Sequence, residues 1–274
     1  MNGIVVGASR LRARASFAAA VAAATVVFGG CPLAVLAQPP GPAAPPLPPR
    51  ESAPIDLTGQ WVAIVNEDWR WRMVTPPKGD YGSILTLNAR GREVADQWEP
   101  SQDGSCRAYG AAGLLRMPTR LRIEWDGDDV LRLQTDAGQQ TRLLRFAAPG
   151  LPQLAAAAPS LQGSSTAQWI RTLPGIGAMG FGAPGARPPP GGSLQVTTTN
   201  LSEGWLRRNG VPYSEQTVLN EFFDRFAAPN GEEWLVVTTI VADPVYHNGR
   251  FITSSHFKRE SGNAKWNPRD CRAD

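Results

Sequence analysis

Histidine, cysteine and long apolar runs are all scarce in this chain. Its 274 residues include two His and three Cys. Neither His-x-His nor His-Glu-x-x-His occurs, so the paired-imidazole spacing of a zinc centre is missing and no metal site is expected. Gly-x-Ser-x-Gly is absent, which removes the hydrolase nucleophile elbow. The glycines from Gly175 to Gly182 neither follow a strand nor open a helix. A nucleotide fingerprint is therefore excluded, and no cofactor is expected. The apolar run Phe17–Phe28 falls short of the roughly 20 residues that a membrane span requires.

An excess of one charge is lacking too, once the first residues are set aside. The whole chain carries +3, from 27 Lys and Arg against 24 Asp and Glu. Three of the basic residues, Arg10, Arg12 and Arg14, precede the apolar run, and no acid occurs before Gln38. Arg-rich start, apolar core and small residues at Val35-Leu36-Ala37 form the pattern of a secretory signal cleaved after Ala37. Lipoprotein processing at Cys31 is the less favoured alternative, and no adjacent Arg pair marks a twin-arginine route. The expected location is periplasmic or secreted, with no membrane span after cleavage. Removing residues 1–37 leaves 24 basic and 24 acidic residues. The basicity thus belongs to targeting, and no nucleic-acid partner is expected. The same removal leaves Cys106 and Cys271, an even pair expected to form a disulfide in an oxidising compartment. Such a long closure would contribute roughly 3–4 kcal/mol.

What is abundant is proline near the start and alternating apolar residues afterwards. Residues 38–54 are Pro-rich and read as an extended, solvated linker. Residues 55–274 then suffice for one all-β domain. Strand patterns cover Gln60–Val74, Tyr81–Leu87, Thr119–Trp125, Val130–Thr135, Gln140–Phe146, Leu194–Asn200, Thr217–Phe226, Glu233–Ala242 and Phe251–Arg259. Asp126-Gly127 and Asn230-Gly231 mark hairpin turns. This predicts an antiparallel up-and-down β-barrel of about eight or nine strands. Asn88 is placed to cap one bracing helix over Ala89–Trp98, with Val94 and Trp98 on its packed face. Residues 147–192 form a long Pro/Gly-rich insertion, disordered over Gly175–Gly192, with a short helix over Ser165–Leu173.

The start Leu57-Thr58-Gly59-Gln60-Trp61 resembles the Gly-x-Trp signature opening the first strand of lipocalin-type (calycin-type) barrels. The resemblance implies a Trp plugging one barrel end, an Arg on a late strand packed upon it, and a cavity for a small hydrophobic ligand. Arg259 is the candidate for that Arg. Three further segments, Asp68–Met73, Leu206–Ser214 and Asp243–Tyr246, are similar to segments of secreted bacterial proteins of unassigned function, which implies no activity.

Period-two alternation from Trp61 sends Glu67, Trp69 and Trp71 inward and Asp68, Arg70 and Arg72 outward. A bulge would turn Asp68 inward instead. A desolvated carboxylate beside two indoles has a raised pKa and suits proton transfer. Its candidate partners are Tyr246 and His256, the latter on the last strand, and His247 lies in a turn near the rim. Arg207 and Tyr213 sit in a loop around Asn209-Gly210, where they would meet a carboxylated or aromatic ligand, with Arg208 in solvent. Lys78-Gly79-Asp80-Tyr81 is a similar rim loop. The candidate ligand-binding set is Glu67, Trp69, Trp71, Arg207, Tyr213, Tyr246, His247 and His256. The candidate catalytic set is Glu67, Asp68, Tyr246 and His256. The leading expectation is a barrel binding a small apolar or aromatic molecule. The alternatives are a cofactor-free isomerase, cyclase or hydratase, and an envelope interaction protein.

Overall fold

A computed structural model describes residues 47–82, 86–102, 106–147, 158–171 and 191–271. The expected leader, residues 38–46 of the Pro-rich segment and the Gly-rich stretch up to residue 190 lie outside the described residues. The strands in chain order are β1 (Gly59–Ile64), β2 (Arg120–Trp125), β3 (Val130–Thr135), β4 (Thr141–Phe146), β5 (Ser164–Arg171), β6 (Gly192–Thr199), β7 (Gly204–Arg207), β8 (Val211–Tyr213), β9 (Val218–Ala227), β10 (Glu233–Ala242) and β11 (Phe251–Glu260). Nine of them close into a barrel in the order β1-β11-β10-β9-β6-β5-β4-β3-β2, while β7 and β8 form a separate ribbon. Closure leaves no unpaired sheet edge.

Alternation decides which side chains enter the barrel. Leu235, Val237 and Val241 of β10 are buried, and their neighbours Val236, Thr238 and Ile240 are only partly covered. The Asp126-Gly127 and Asn230-Gly231 turns hold their glycines at φ +79° and +81°, a region closed to most other residues. One pairing departs from the antiparallel plan: β4 and β5 run parallel, Leu144 opposite Ser165. A parallel neighbour requires the chain to cross from one barrel end to the other.

Four local expectations are corrected. The first strand stops at Ile64, because Asp68 adopts left-handed backbone (φ 49°, ψ 29°) and opens a short helix, α1 (Trp69–Arg72). Such a residue cannot continue a strand. Of Tyr81–Leu87, the described residues contribute only an isolated bridge from Leu87 to His247. The described part of the helix expected over Ser165–Leu173 is not helical: Ser164–Arg171 is strand β5, held between β4 and β6, since tertiary pairing overrides a weak local preference. Residues 47–54 are docked rather than solvated. Trp169 Nε1 donates to the Pro49 carbonyl (2.8 Å) and Arg50 N to the Asp128 carbonyl (3.0 Å).

The bracing helix α2 (Ala89–Asp96) forms as expected, with Asn88 Oδ1 accepting from Gly91 N at 2.8 Å. Gly91 and Ala95 are buried, and Arg92 and Glu93 face out. A Cβ on Gly91 would lie 2.4 Å from the Tyr246 carbonyl, so close packing requires glycine there.

Of three apolar clusters among the described residues, two include side chains of the barrel strands. The first takes side chains from all nine barrel strands, among them Trp61, Leu121, Leu133, Leu144, Ala167, Leu194, Phe223, Leu235 and Phe257. Arg259, the residue opposite Trp61 in the β1–β11 register, places its guanidinium 5.4 Å above the Trp61 ring. Trp125, Phe146 and Trp169 pack against one another at 5.3–6.4 Å between ring centres. The second cluster joins Leu219, Val241 and Phe251 to the cap built by α2, α3 (Ala111–Leu114) and the β7–β8 ribbon. Cys106 and Cys271 are disulfide-bonded across 165 residues of sequence, with Cα atoms 5.2 Å apart. The bond fastens the C-terminal segment to the cap.

Candidate functional site

The capped end of the barrel gathers charge, aromatic rings and a non-glycine residue in left-handed backbone. Asp68 is its centre. Its left-handed backbone lets its carbonyl accept from Trp71 N (2.8 Å), while its carboxylate pairs with Arg116 Nη2 (2.9 Å). Arg116 is 4% exposed, and its Nη1 also donates to Thr253 Oγ1 (2.6 Å). Arg72, 3% exposed, donates from Nε to the Arg116 carbonyl (2.7 Å). Arg207, 4% exposed, donates to the Tyr81 carbonyl and stands 5.2 Å over the Trp71 ring. Burial, followed by the neighbouring charge of Arg116, pulls Arg72 and Arg207 each down to about 10. Burial also lowers Arg116, against the pull of Asp68 and Glu67.

The chain successors of these three arginines, Met73, Met117 and Arg208, line a cleft of about 290 Å³. Tyr109, Pro118 and Ala137 complete its apolar wall, and Arg269 and Asp270 close it. These last two belong to the segment that the disulfide fastens. That segment is also held by Arg269 N donating to the Asp136 carbonyl and by Gly138 N donating to the Arg269 carbonyl, both at 2.8 Å. Met and Tyr walls with guanidinium groups at the margin suit a small, partly apolar molecule that bears a negative charge.

The residues singled out from sequence are dispersed relative to this arrangement. Glu67 does not enter the barrel; its carboxylate accepts from Ser254 Oγ (2.5 Å) on the outer face of β11. Trp69 is 63% exposed rather than inward. Trp71 lies between the guanidiniums of Arg70 and Arg207 and donates from Nε1 to Asp80 (3.3 Å). His256 pairs with Ile64 and Val236 and faces outward with Ser254 and Ile252, so it does not face the interior. Tyr246 donates to Glu203 (3.0 Å), and its pKa is raised by burial and then by that carboxylate. His247 is buried beside the ribbon, with Nε2 3.0 Å from the Pro212 carbonyl, and burial lowers its pKa. The expected solvated loop around Asn209-Gly210 is instead the buried β7–β8 ribbon. Tyr213 is fully buried, its hydroxyl wedged where a Cβ on Gly110 or Gly204 would clash, and burial raises its pKa. The four candidate proton-transfer groups therefore divide among separate surroundings: Glu67 is held by Ser254, Asp68 by Arg116, Tyr246 by Glu203, and His256 lies on the outer face.

Sequence reasoning missed Arg72, Arg116 and a second buried pair. Inside the barrel Arg142 grips Glu221 through both Nη atoms, at 2.8 and 2.5 Å, with neither side chain exposed. Thr198 and Ser165 complete this polar layer. A signal existed for the pair: Arg142 alternates with Leu144 and Phe146, and Glu221 with Leu219 and Phe223.

Comparison with known proteins does not assign the chain to a family. No family model and no solved structure matches. Among curated proteins, 82 residues are 35% identical to part of the mouse protein named pleckstrin homology domain-containing family G member 5. The match spans 30% of this chain and 8% of that protein. The fold is a closed nine-stranded β-barrel, consistent with the calycin-type plan.

Proposed function

We propose that this protein is an exported, lipocalin-like barrel that binds a small, partly apolar or aromatic anion in the cleft at its capped end. The observation that carries the reading is the cleft itself, where Met73, Met117 and Tyr109 stand beside Arg208 and Arg269. The packing of Arg259 on Trp61 supports kinship with lipocalin-type barrels, and the Cys106–Cys271 bond supports an oxidising location. The binding place differs from a lipocalin cavity, because side chains from all nine strands occupy the lumen. Recognition here would use apolar contact for affinity and guanidinium groups for orientation.

The test is native mass spectrometry and ligand-observed NMR with a panel of aromatic carboxylates on the oxidised protein. Binding is expected for the unaltered chain, and Met117→Trp, which fills the cleft, should abolish it while the fold persists. A panel in which nothing binds, or binding indifferent to Met117→Trp, refutes the proposal.

A second reading is favoured by exposure. Trp69, Met73 and Val74 are 63%, 51% and 64% exposed on one segment, which suits docking of a partner protein. Loss of a co-purifying partner on Trp69→Ala with Val74→Ser would support it.

A further inference from the structure

An Asn-Gly pair can modify itself, because glycine has no Cβ to keep its nitrogen from the asparagine side chain. The reaction requires that nitrogen to lose its proton, so a glycine N–H already bound to a carbonyl is held back. Three such pairs occur among the described residues, and the fold treats each differently. Asn209 is fully buried, with Nδ2 donating to the carbonyls of Pro77 (3.3 Å) and Asp80 (3.0 Å). Gly210 N donates to the Arg207 carbonyl (3.2 Å). Asn230 is exposed at a hairpin tip, but Gly231 N donates to the Ala228 carbonyl (2.9 Å), and Asn230 Oδ1 accepts from Glu232 N (3.1 Å). Asn248 and Gly249 are both exposed. Gly249 N has no acceptor among the described residues, and the Asn248 side chain makes one long bond, from Nδ2 to the Leu87 carbonyl (3.3 Å). The place matters because the connection between β10 and β11 is stitched here to the start of α2. Asn88, the α2 cap, donates from N to the Tyr246 carbonyl (2.9 Å) and from Nδ2 to the Val245 carbonyl (2.8 Å), and Asn248 N donates to the Thr86 carbonyl (2.9 Å).

We infer that Asn248-Gly249 is a self-modification site, where deamidation slowly loosens the seat of α2. The deprotonated Gly249 nitrogen attacks Cγ of Asn248, and the Cγ–Nδ2 bond breaks. Nδ2 leaves as ammonia, taking its proton from water, and a cyclic succinimide remains. Water then opens the ring at either carbonyl, giving aspartate or isoaspartate. Both products set a carboxylate against the Leu87 carbonyl where an amide N–H stood. Isoaspartate also adds a carbon to the main chain beside the bridge between Leu87 and His247. The site shares no residue with the cleft.

The experiment incubates the folded, oxidised full chain in mildly alkaline buffer made with heavy-oxygen water, then maps its peptides by mass spectrometry. The label separates this reaction from any that occurs during digestion. A sample kept in denaturant is the reference, in which all three pairs react. In the folded chain Asn248 should convert first, about tenfold or more ahead of Asn209, which reacts only through local opening. Gly249→Ala should slow the conversion of Asn248 by about tenfold or more, because the new methyl group crowds the nitrogen. Its fold should persist, since the nearest atom to the added Cβ is Thr86 Oγ1 at 4.0 Å. As conversion proceeds, the unfolding temperature should fall and the Gly91 amide, which donates to Asn88 Oδ1, should exchange faster. Gly249→Ala held under the same conditions should show neither change. The inference is overturned if Asn209 or Asn230 converts ahead of Asn248 in the folded chain, or if Asn248 stays intact there while the denatured chain reacts. It is also overturned if conversion leaves both the Gly91 exchange and the unfolding temperature unaltered.

Discussion

Removing Glu221 should cost this protein a large part of its stability. The Glu221 carboxylate accepts from both Nη atoms of Arg142, at 2.8 and 2.5 Å, and neither side chain has any exposed surface. In Glu221→Ala the guanidinium keeps only the Thr198 hydroxyl at 3.2 Å, with no route to water. Breaking one partner of such a pair costs about 3–5 kcal/mol, set against a total of about 5–15 kcal/mol for a typical domain. For a domain of this size that corresponds to a fall of roughly 10 °C in Tm. Replacing both partners by apolar residues of similar volume, Arg142→Met with Glu221→Leu, removes both desolvation costs at once. The double variant should therefore lie within about 1 kcal/mol of the parent, or above it. Guanidinium chloride unfolding followed by tryptophan fluorescence, with the disulfide oxidised, measures both variants against the parent; the nine Trp give ample signal. A cost below about 1 kcal/mol for Glu221→Ala, or a double variant no more stable than Glu221→Ala, would refute the reasoning.

Three other outcomes follow from the packing and the titrating groups. Replacing Cys106 and Cys271 by Ser should lower stability by about 2–4 kcal/mol and expose the segment beyond Glu260 to proteolysis, read by limited digestion and mass analysis. Gly231→Ala should cost only about 1 kcal/mol, for its positive φ alone, since nothing lies within 4 Å of the new methyl group. Gly210→Ala pays that same conformational cost and also drives a Cβ to 2.2 Å from Trp98, so denaturant unfolding should show it distinctly worse. Tyr81 is pushed up to about 12 by burial and then by its bond to Asp96, and burial raises Tyr213 and Tyr246 as well. Because the folded state holds these protons more tightly, their stabilisation is complete below pH 10 and for Tyr81 is lost between pH 10 and about 12. Absorbance titration of the folded protein should show Tyr81, Tyr213 and Tyr246 ionising above the normal range, returning to it in denaturant. Ionisation of these three phenols near pH 10 in the folded protein would contradict the burial.

Where function resides was less legible than the barrel, and the reasons are specific. Strands β2, β3, β4, β6, β9, β10 and β11 follow their alternation to within a residue or two, because each has one face in the core. The turn glycines and the Asn88 cap are local chemistry and needed no tertiary partner. The pairing of Cys106 with Cys271 followed from there being only two cysteines after the apolar leader pattern.

Asp68 could not be read the same way. Its left-handed conformation sets its carboxylate against Arg116, 48 residues away, and the same turn carries Arg72 into the cap. Strand β5 exists because β4 and β6 offer it hydrogen bonds on both sides, and the β7–β8 ribbon is buried because α2, α3 and the 80–82 loop close over it. Sequence by itself determined the interior and exterior of the barrel wall, since those depend on a two-residue period. Tertiary structure alone decided which charges are buried and left unmatched. A guanidinium's surroundings are supplied by segments far apart in the chain, and no local period records them.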